Sequence, residues 1–259
     1  MTYVTIMKIR YNQNMVKPPV EKGLIVMKKK RKAILLILSA LTITLIIVFY
    51  LYVSDFYRAD PVAVEALNQD LINNKAFIKN DLIIIPSRTE SDSALIFYPG
   101  GKVEASAYYP LLSRLADNGI TCVLVKMPFH LAFFDYSAAD RVFDTLPDIK
   151  NWYIGGHSLG GAMASKYMSE HPGKLKGLIL LGAYVYGDVP SSKALTIYGT
   201  KDGVLSKEKI KESDLQLPLT GGNHANFGNY GNQKGDEEAD ISRELQQQKT
   251  VKAVEEFIE

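Results

Sequence analysis

The chain has a single cysteine, Cys122. No intramolecular disulfide can form, which excludes a small disulfide-stapled secreted scaffold. Cys122 falls inside the apolar run 121–125, where a lone cysteine behaves as a small hydrophobe. Histidine is almost as scarce, with four in 259 residues, so an imidazole base can be sought by elimination. Internal repeats and low-complexity stretches are absent. The body also lacks a basic surplus. Nine of the 30 Lys and Arg stand in residues 1–53 beside one acid, Glu21, which leaves 21 basic and 27 acidic side chains for the rest. A body of net charge −6 gives no reason to expect a nucleic-acid partner.

Against those absences stands an ordinary globular balance, 47% hydrophobic and 22% charged, enough for one sizeable core and a short appendage. The appendage is read first. Residues 33–53 form an uncharged run of 21, with Ser39, Thr42 and Thr44 as its polar interruptions. At ~1.5 Å per residue it spans roughly 31 Å, the thickness of a bilayer core. Tyr50 and Tyr52 stand at its far end, and Lys28, Lys29, Lys30, Arg31 and Lys32 immediately before it. The positive-inside rule keeps that basic end cytoplasmic and exports the chain from Ser54 onward. A cleaved signal peptide would have a shorter apolar core and a small-x-small site; the sequence reads Tyr52-Val53-Ser54-Asp55-Phe56. The expected division is a basic cytoplasmic segment 1–32, a transmembrane signal anchor 33–53 and a catalytic domain 54–259. Met27 before the basic cluster suggests that translation starts there, with 1–26 upstream of it.

From about residue 60 short apolar runs alternate with helical spacing. Strands are expected at 76–79, 82–85, 94–98, 121–126, 152–155, 178–182, 194–198 and 215–219. Helices are expected at 105–118, 138–146, 160–170, 206–212 and 241–258, the last with Leu245, Val251, Val254 and Phe257 on its apolar side. Such alternation implies a mostly parallel sheet covered by helices on both faces.

The sharpest local signal is Gly156-His157-Ser158-Leu159-Gly160, between an apolar strand and an amphipathic helix. That is the context of the G-x-S-x-G nucleophile elbow. A serine on a tight strand-to-helix turn needs neighbours without clashing side chains, and glycines stand at 155, 156, 160 and 161. A serine hydroxyl needs a base. His157 is the elbow's variable position, His171 closes a helix before Pro172-Gly173, and His130 lies upstream of the serine. His224, after the last strand in Gly221-Gly222-Asn223-His224-Ala225, remains. Asp202, in Tyr198-Gly199-Thr200-Lys201-Asp202-Gly203, is the candidate acid, with Asp188 as alternative; its task is to orient the imidazole. The oxyanion hole needs two convergent amides. Leu159 N–H supplies one, and the loop Pro99-Gly100-Gly101-Lys102 the other, through Gly101 or Lys102. The Lys102 ammonium either greets an acidic substrate or is simply solvated.

With those residues in place the chain resembles the α/β-hydrolase superfamily, and within it a bacterial subgroup related to the dienelactone hydrolases. The resemblance rests on Phe97-Tyr98-Pro99-Gly100-Gly101-Lys102-Val103, Lys126-Met127-Pro128-Phe129, the elbow, the Asp202 turn and Gly222-Asn223-His224-Ala225-Asn226-Phe227-Gly228. The tail Gly235-Asp236 with Ile241-Ser242-Arg243 also fits, and the likeness covers residues 60–259. It implies an α/β-hydrolase fold; the short 182–193 connection adds the expectation of no sizeable lid domain, and residues 33–53 that of one N-terminal transmembrane helix. It also implies a Ser158–Asp202–His224 triad with an acyl-enzyme on Ser158, no metal and no organic cofactor. Serine stands where true dienelactone hydrolases use cysteine, a departure that bears on lactone specificity.

Only about ten residues separate Gly182 from Lys193, so the site is expected to be open and to take small ester substrates. Gly100, Phe129 and Phe133 are candidates for its lining, although the aromatic cluster with Leu131 and Phe134 would equally plug a core. Peptidase or acyl-transferase chemistry would use the same groups, and a non-catalytic binding protein would be expected to have lost one of them.

Overall fold

The computed structural model describes residues 19–212 and 215–258. The chain divides into two compact units, residues 1–52 and 53–259. Residues 1–18, within the segment expected to lie upstream of the true start, are outside the described residues.

Helix α1, Pro19–Ser54, begins well before the expected span and carries the basic cluster within it. Its portion Gly23–Ser54 is long and apolar enough to cross a membrane, its most apolar 18-residue stretch having a mean hydropathy of 2.8. Two of its hydroxyls are satisfied internally: Thr42 donates to Leu38 O and Thr44 to Ala40 O. In hydrocarbon, where water is absent, such local satisfaction is what makes a polar side chain tolerable.

The second unit is built on eight strands: β1 Phe77–Lys79, β2 Leu82–Ile85, β3 Ser93–Tyr98, β4 Thr121–Val125, β5 Asn151–His157, β6 Gly177–Leu181, β7 Ala194–Gly199 and β8 Leu215–Leu219. Their order is β1-β2-β4-β3-β5-β6-β7-β8. β2 runs antiparallel to both neighbours, and every pairing from β4 to β8 is parallel. Strand alternation divides the core in two. Leu95, Phe97, Cys122 and Leu124 face one cluster, while Ala94, Ile96, Tyr98, Val123 and Val125 face the other. Both faces are therefore covered, as continuous apolar strands require. Cys122 is fully buried, and burial pushes its thiol pKa up, so it is an inert core residue.

Helices α2 Pro61–Ile72, α3 Tyr109–Asp117, α4 Ala139–Thr145, α5 Leu159–Glu170 and α6 Arg243–Ile258 complete the layers. Three expectations need correction. α2 is absent from the sequence pattern: it buries only Ala63 and Leu67, so its periodicity is faint, although Pro at its first turn after Asp60 is a start signal. Residues 206–212 form a single 3-10 turn, Lys207–Lys209, rather than a helix, because a lysine- and glutamate-rich run has no apolar face to bury. On α6, Leu245 is 40% exposed, and the buried stripe instead combines Val251 and Val254 with Gln246, Gln247 and Thr250. Between β6 and β7 the described chain holds only a 3-10 turn, Ser191–Lys193, in place of a lid. The carboxyl ends of the parallel strands lie on one edge, where open α/β sheets gather their functional loops.

Candidate active site

Ser158 sits between β5 and α5 with φ 51° and ψ −122°, a conformation that costs a non-glycine residue roughly 1–3 kcal/mol. Its N–H donates to Leu181 O at 3.0 Å, and its carbonyl accepts the Ala162 N–H at 3.0 Å, tying the turn to β6 and starting α5. The turn is tight enough that a Cβ on Gly160 would lie 2.2 Å from the carbonyl oxygens of Tyr98 and Pro99. Leu159 opens α5, so its N–H is one of the helix's unpaired amino-terminal donors and lies at the positive end of the helix dipole.

The structure brings His224 and Asp202 together across 22 residues. His224 Nδ1 lies 2.8 Å from Asp202 Oδ2, and both side chains are buried. The other carboxylate oxygen, Oδ1, accepts the N–H groups of Val204 at 2.9 Å and Leu205 at 2.8 Å. With Nδ1–H donating to the carboxylate, Nε2 carries the free lone pair. That atom is buried and has no hydrogen-bond partner among the described residues. His224, Ser158, Leu159, Gly182, Tyr184 and Leu205 line one cavity of about 280 Å³. His224 Nε2 thus makes no hydrogen bond to Ser158, in keeping with sites whose catalytic contacts tighten only around substrate. Asp188 is exposed and is not the partner of His224.

Two supports for this pair have no counterpart in the sequence pattern. Gly182, at the end of β6 with φ 53°, leaves the room the pair occupies: a Cβ there would lie 2.9 Å from His224 Nδ1 and 3.1 Å from Asp202 Oδ2. Asp236 enters that pattern only as part of the tail Gly235-Asp236. Its Oδ1 accepts the N–H groups of Gly203 at 3.1 Å, His224 at 3.1 Å and Glu237 at 3.0 Å, and its Oδ2 that of Ala225 at 2.8 Å. One carboxylate thus holds the turn after Asp202 and the backbone of His224 in register. Gln246 of α6 braces the same loop, accepting from Asn223 N–H at 3.0 Å and donating to Asn223 O at 2.8 Å.

The remaining three histidines do not line the Ser158 cavity. His157 is fully buried, with Nδ1 2.7 Å from the Tyr108 hydroxyl and its ring 4.3 Å from that of His224. Burial, then the neighbouring His224, holds its pKa well below the usual histidine range. It therefore stays neutral, and adds no second positive charge beside an imidazolium at His224. His171 stacks on Tyr167, and His130 stacks on Phe56.

The amides of the loop after β3 differ in their engagement. Gly100 N–H donates to the Tyr108 hydroxyl at 3.1 Å, and Lys102 N–H donates to His130 O at 2.7 Å. Lys102 is thus corrected as an amide donor to substrate, because its N–H is already engaged. Its ammonium is paired with Asp55 at 2.9 Å. Gly101 N–H makes no hydrogen bond among the described residues. Gly101 packs closely on the elbow: a Cβ there would lie 3.0 Å from Leu159 Cδ2 and 3.3 Å from Leu159 Cβ. Gly100, Phe129 and Phe133 do not line the Ser158 cavity. Phe129 and Phe133 are 51% and 66% exposed, so they do not plug the core either, and Gly100 packs against His157 and Tyr108. Among the described residues no group of three His, Cys, Asp or Glu is placed to hold a metal ion.

The sequence profile of the alpha/beta hydrolase family matches residues 94–248. A Mycobacterium phage D29 protein provisionally named a non-heme haloperoxidase is 29% identical over 106 residues, which is 38% of either chain. The chain thus spans well under half the length of that relative. Among solved structures, Est1E from Butyrivibrio proteoclasticus superimposes with a TM-score of 0.52 at 15% identity, covering 71% of this chain and 99% of its own. TT1662 from Thermus thermophilus gives a TM-score of 0.50 at 12% identity, covering 69% and 93%. At such identities the structural likeness speaks for the fold.

Proposed function

Because the chain belongs to the alpha/beta hydrolase family, we propose that it is a serine hydrolase that cleaves small carboxylic esters through an acyl-enzyme on Ser158. The observation that carries this reading is the buried, unpartnered Nε2 of His224, on an imidazole held by Asp202, in the cavity that Ser158 also lines. As Ser158 Oγ attacks the ester carbonyl, His224 Nε2 takes its proton and Asp202 stabilises the imidazolium. The Leu159 and Gly101 amides receive the developing oxyanion, a donor of this kind being worth ~3–4 kcal/mol. Nε2 then returns the proton to the departing alkoxide. A water, deprotonated in turn by His224, attacks the acyl group. As the second tetrahedral intermediate collapses, the bond to Ser158 Oγ breaks, His224 Nε2 returns the proton to that oxygen and the carboxylic acid leaves. The 280 Å³ cavity without a lid suits short acyl groups.

The sequence pattern adds a finer placement to this reading: a serine-containing relative of the dienelactone hydrolases, whose α1 serves as an uncleaved anchor. The basic cluster 28–32 keeps the amino terminus cytoplasmic, so residues 54–259 work outside the membrane. Protease protection of sealed spheroplasts tests the topology; a catalytic domain shielded from added protease would reverse it. The chemistry is tested with p-nitrophenyl esters of increasing chain length, where short esters should turn over fastest. Turnover that persists in Ser158→Ala would remove the proposal.

A further inference from the structure

Residues 55–60 begin directly after Ser54, the last residue of α1, and are stitched to the loop that carries Gly101. Tyr57 forms a parallel bridge with Val103. Tyr57 N–H donates to Lys102 O at 2.7 Å, and Glu104 N–H donates to Tyr57 O at 2.9 Å. Around that bridge, Asp55 pairs with Lys102 Nζ, Phe56 stacks on His130 at 4.0 Å, and Glu104 Oε2 accepts the Ala59 N–H at 3.0 Å.

The loop these contacts grip is held in an unfavourable conformation. Lys102 and His130 have φ of 59° and 57°, the left-handed region that non-glycine residues avoid, and Lys102 N–H donates to His130 O. Such residues persist where surrounding contacts over-determine them. Lys102 is gripped at both ends of its main chain, its N–H by His130 and its carbonyl by Tyr57. The Gly101 N–H lies between two engaged amides, those of Gly100 and Lys102, so the anchoring of Lys102 through both its N–H and its carbonyl fixes the downstream end of the segment that carries it.

We propose that the segment 55–60 is a positioning element of the oxyanion loop, with Tyr57 N–H as its principal contact: by holding Lys102 O it fixes left-handed Lys102 and aims the Gly101 amide at the acyl oxygen. This rests on the reading of Gly101 and Leu159 as oxyanion donors. It makes the residues just beyond α1 a working part of the catalytic unit rather than a passive connector. A segment that only buttressed the fold would alter stability without acting selectively on turnover.

The test uses the full chain in detergent, with kcat and KM for a short p-nitrophenyl ester and thermal unfolding read together. Tyr57→Pro removes the N–H donor, and kcat should fall about 10–100-fold, short of the full loss of an oxyanion donor, with KM within about twofold. Lys102→Gly added to Tyr57→Pro should recover most of that loss, because glycine adopts positive φ without help. If Tyr57→Pro does not fold, Asp55→Ala serves, with a few-fold fall in kcat that Lys102→Gly likewise recovers. An unchanged kcat in a folded Tyr57→Pro, a change confined to KM, or no recovery in the double variant would overturn the inference. A wild-type chain that turns over no ester and takes no fluorophosphonate label would instead defeat the function on which it rests.

Discussion

The nucleophile and its base are held by different means. Ser158 is fixed by its own neighbours: a strand before it, a helix after it, and a Gly160 small enough to pass under the carbonyls of Tyr98 and Pro99. His224 lies in a loop whose helical content is a single 3-10 turn, Ala225–Phe227. It is fixed from a distance, by Asp202 on its ring, Asp236 on its backbone and Gln246 on the residue before it. The elbow is a backbone device, held through main-chain contacts with Leu181 of β6 and the carbonyls of Tyr98 and Pro99 after β3, whereas the base is placed by side chains that reach it from other loops and from α6. The first needs a short motif seated between two regular strands, and the second requires several loops to close correctly on one another.

Substitutions on the two sides should therefore behave differently. The largest effect is expected at the elbow, where Ser158→Ala should reduce kcat by about 10⁴–10⁶-fold with unfolding unchanged, since it removes the nucleophile without altering the turn. On the base side Asp202→Asn, assayed with the same ester, should reduce kcat by about 10⁴-fold, because an amide no longer favours the tautomer that leaves Nε2 free. Asp236→Ala should reduce kcat about 10–100-fold with KM little changed, by releasing the His224 backbone rather than its ring. Asp236→Asn, which keeps one acceptor oxygen, should recover part of that loss and restore the low-field proton resonance of the His224–Asp202 hydrogen bond. Equal losses for Asp236→Ala and Asp236→Asn, or no loss in either, would erase the distinction between the two regions.

The smallest effect concerns His157, whose folded pKa is held below the ordinary histidine value by burial. Below pH ~6.5 the unfolded chain takes up a proton there that the folded chain refuses, so stability falls as pH drops, by at most ~1.4 kcal/mol per pH unit. Above pH ~6.5 the contribution is constant. His130, also lowered by burial, acts in the same direction. Urea unfolding between pH 5 and pH 8 should show this slope in the wild type and a shallower one in His157→Gln.

The sheet is readable because its central strands are apolar runs buried on both faces, whereas the edge strands β1 and β8 are largely exposed, and the elbow because its constraint is written in five consecutive residues. His224 emerges by elimination among four histidines, and Asp202 by its place after a strand. Lys102 is misplaced as a donor because sequence does not reveal that His130, 28 residues away, claims its amide. The aromatic loop misleads because Phe129 and Phe133 have the composition of a pocket and the position of a surface. Helix α2 escapes notice for lack of a strong apolar stripe. Gly182 and Asp236 matter through a missing side chain and through backbone contacts, neither of which leaves a pattern at short range.

The most direct measurement is peptide mapping by mass spectrometry after treating the intact chain with a fluorophosphonate. A single adduct on the peptide bearing Ser158, formed more slowly in His224→Ala, is the predicted result. An adduct on another residue, or ester turnover by a chain whose Ser158 carries the adduct, would contradict the account.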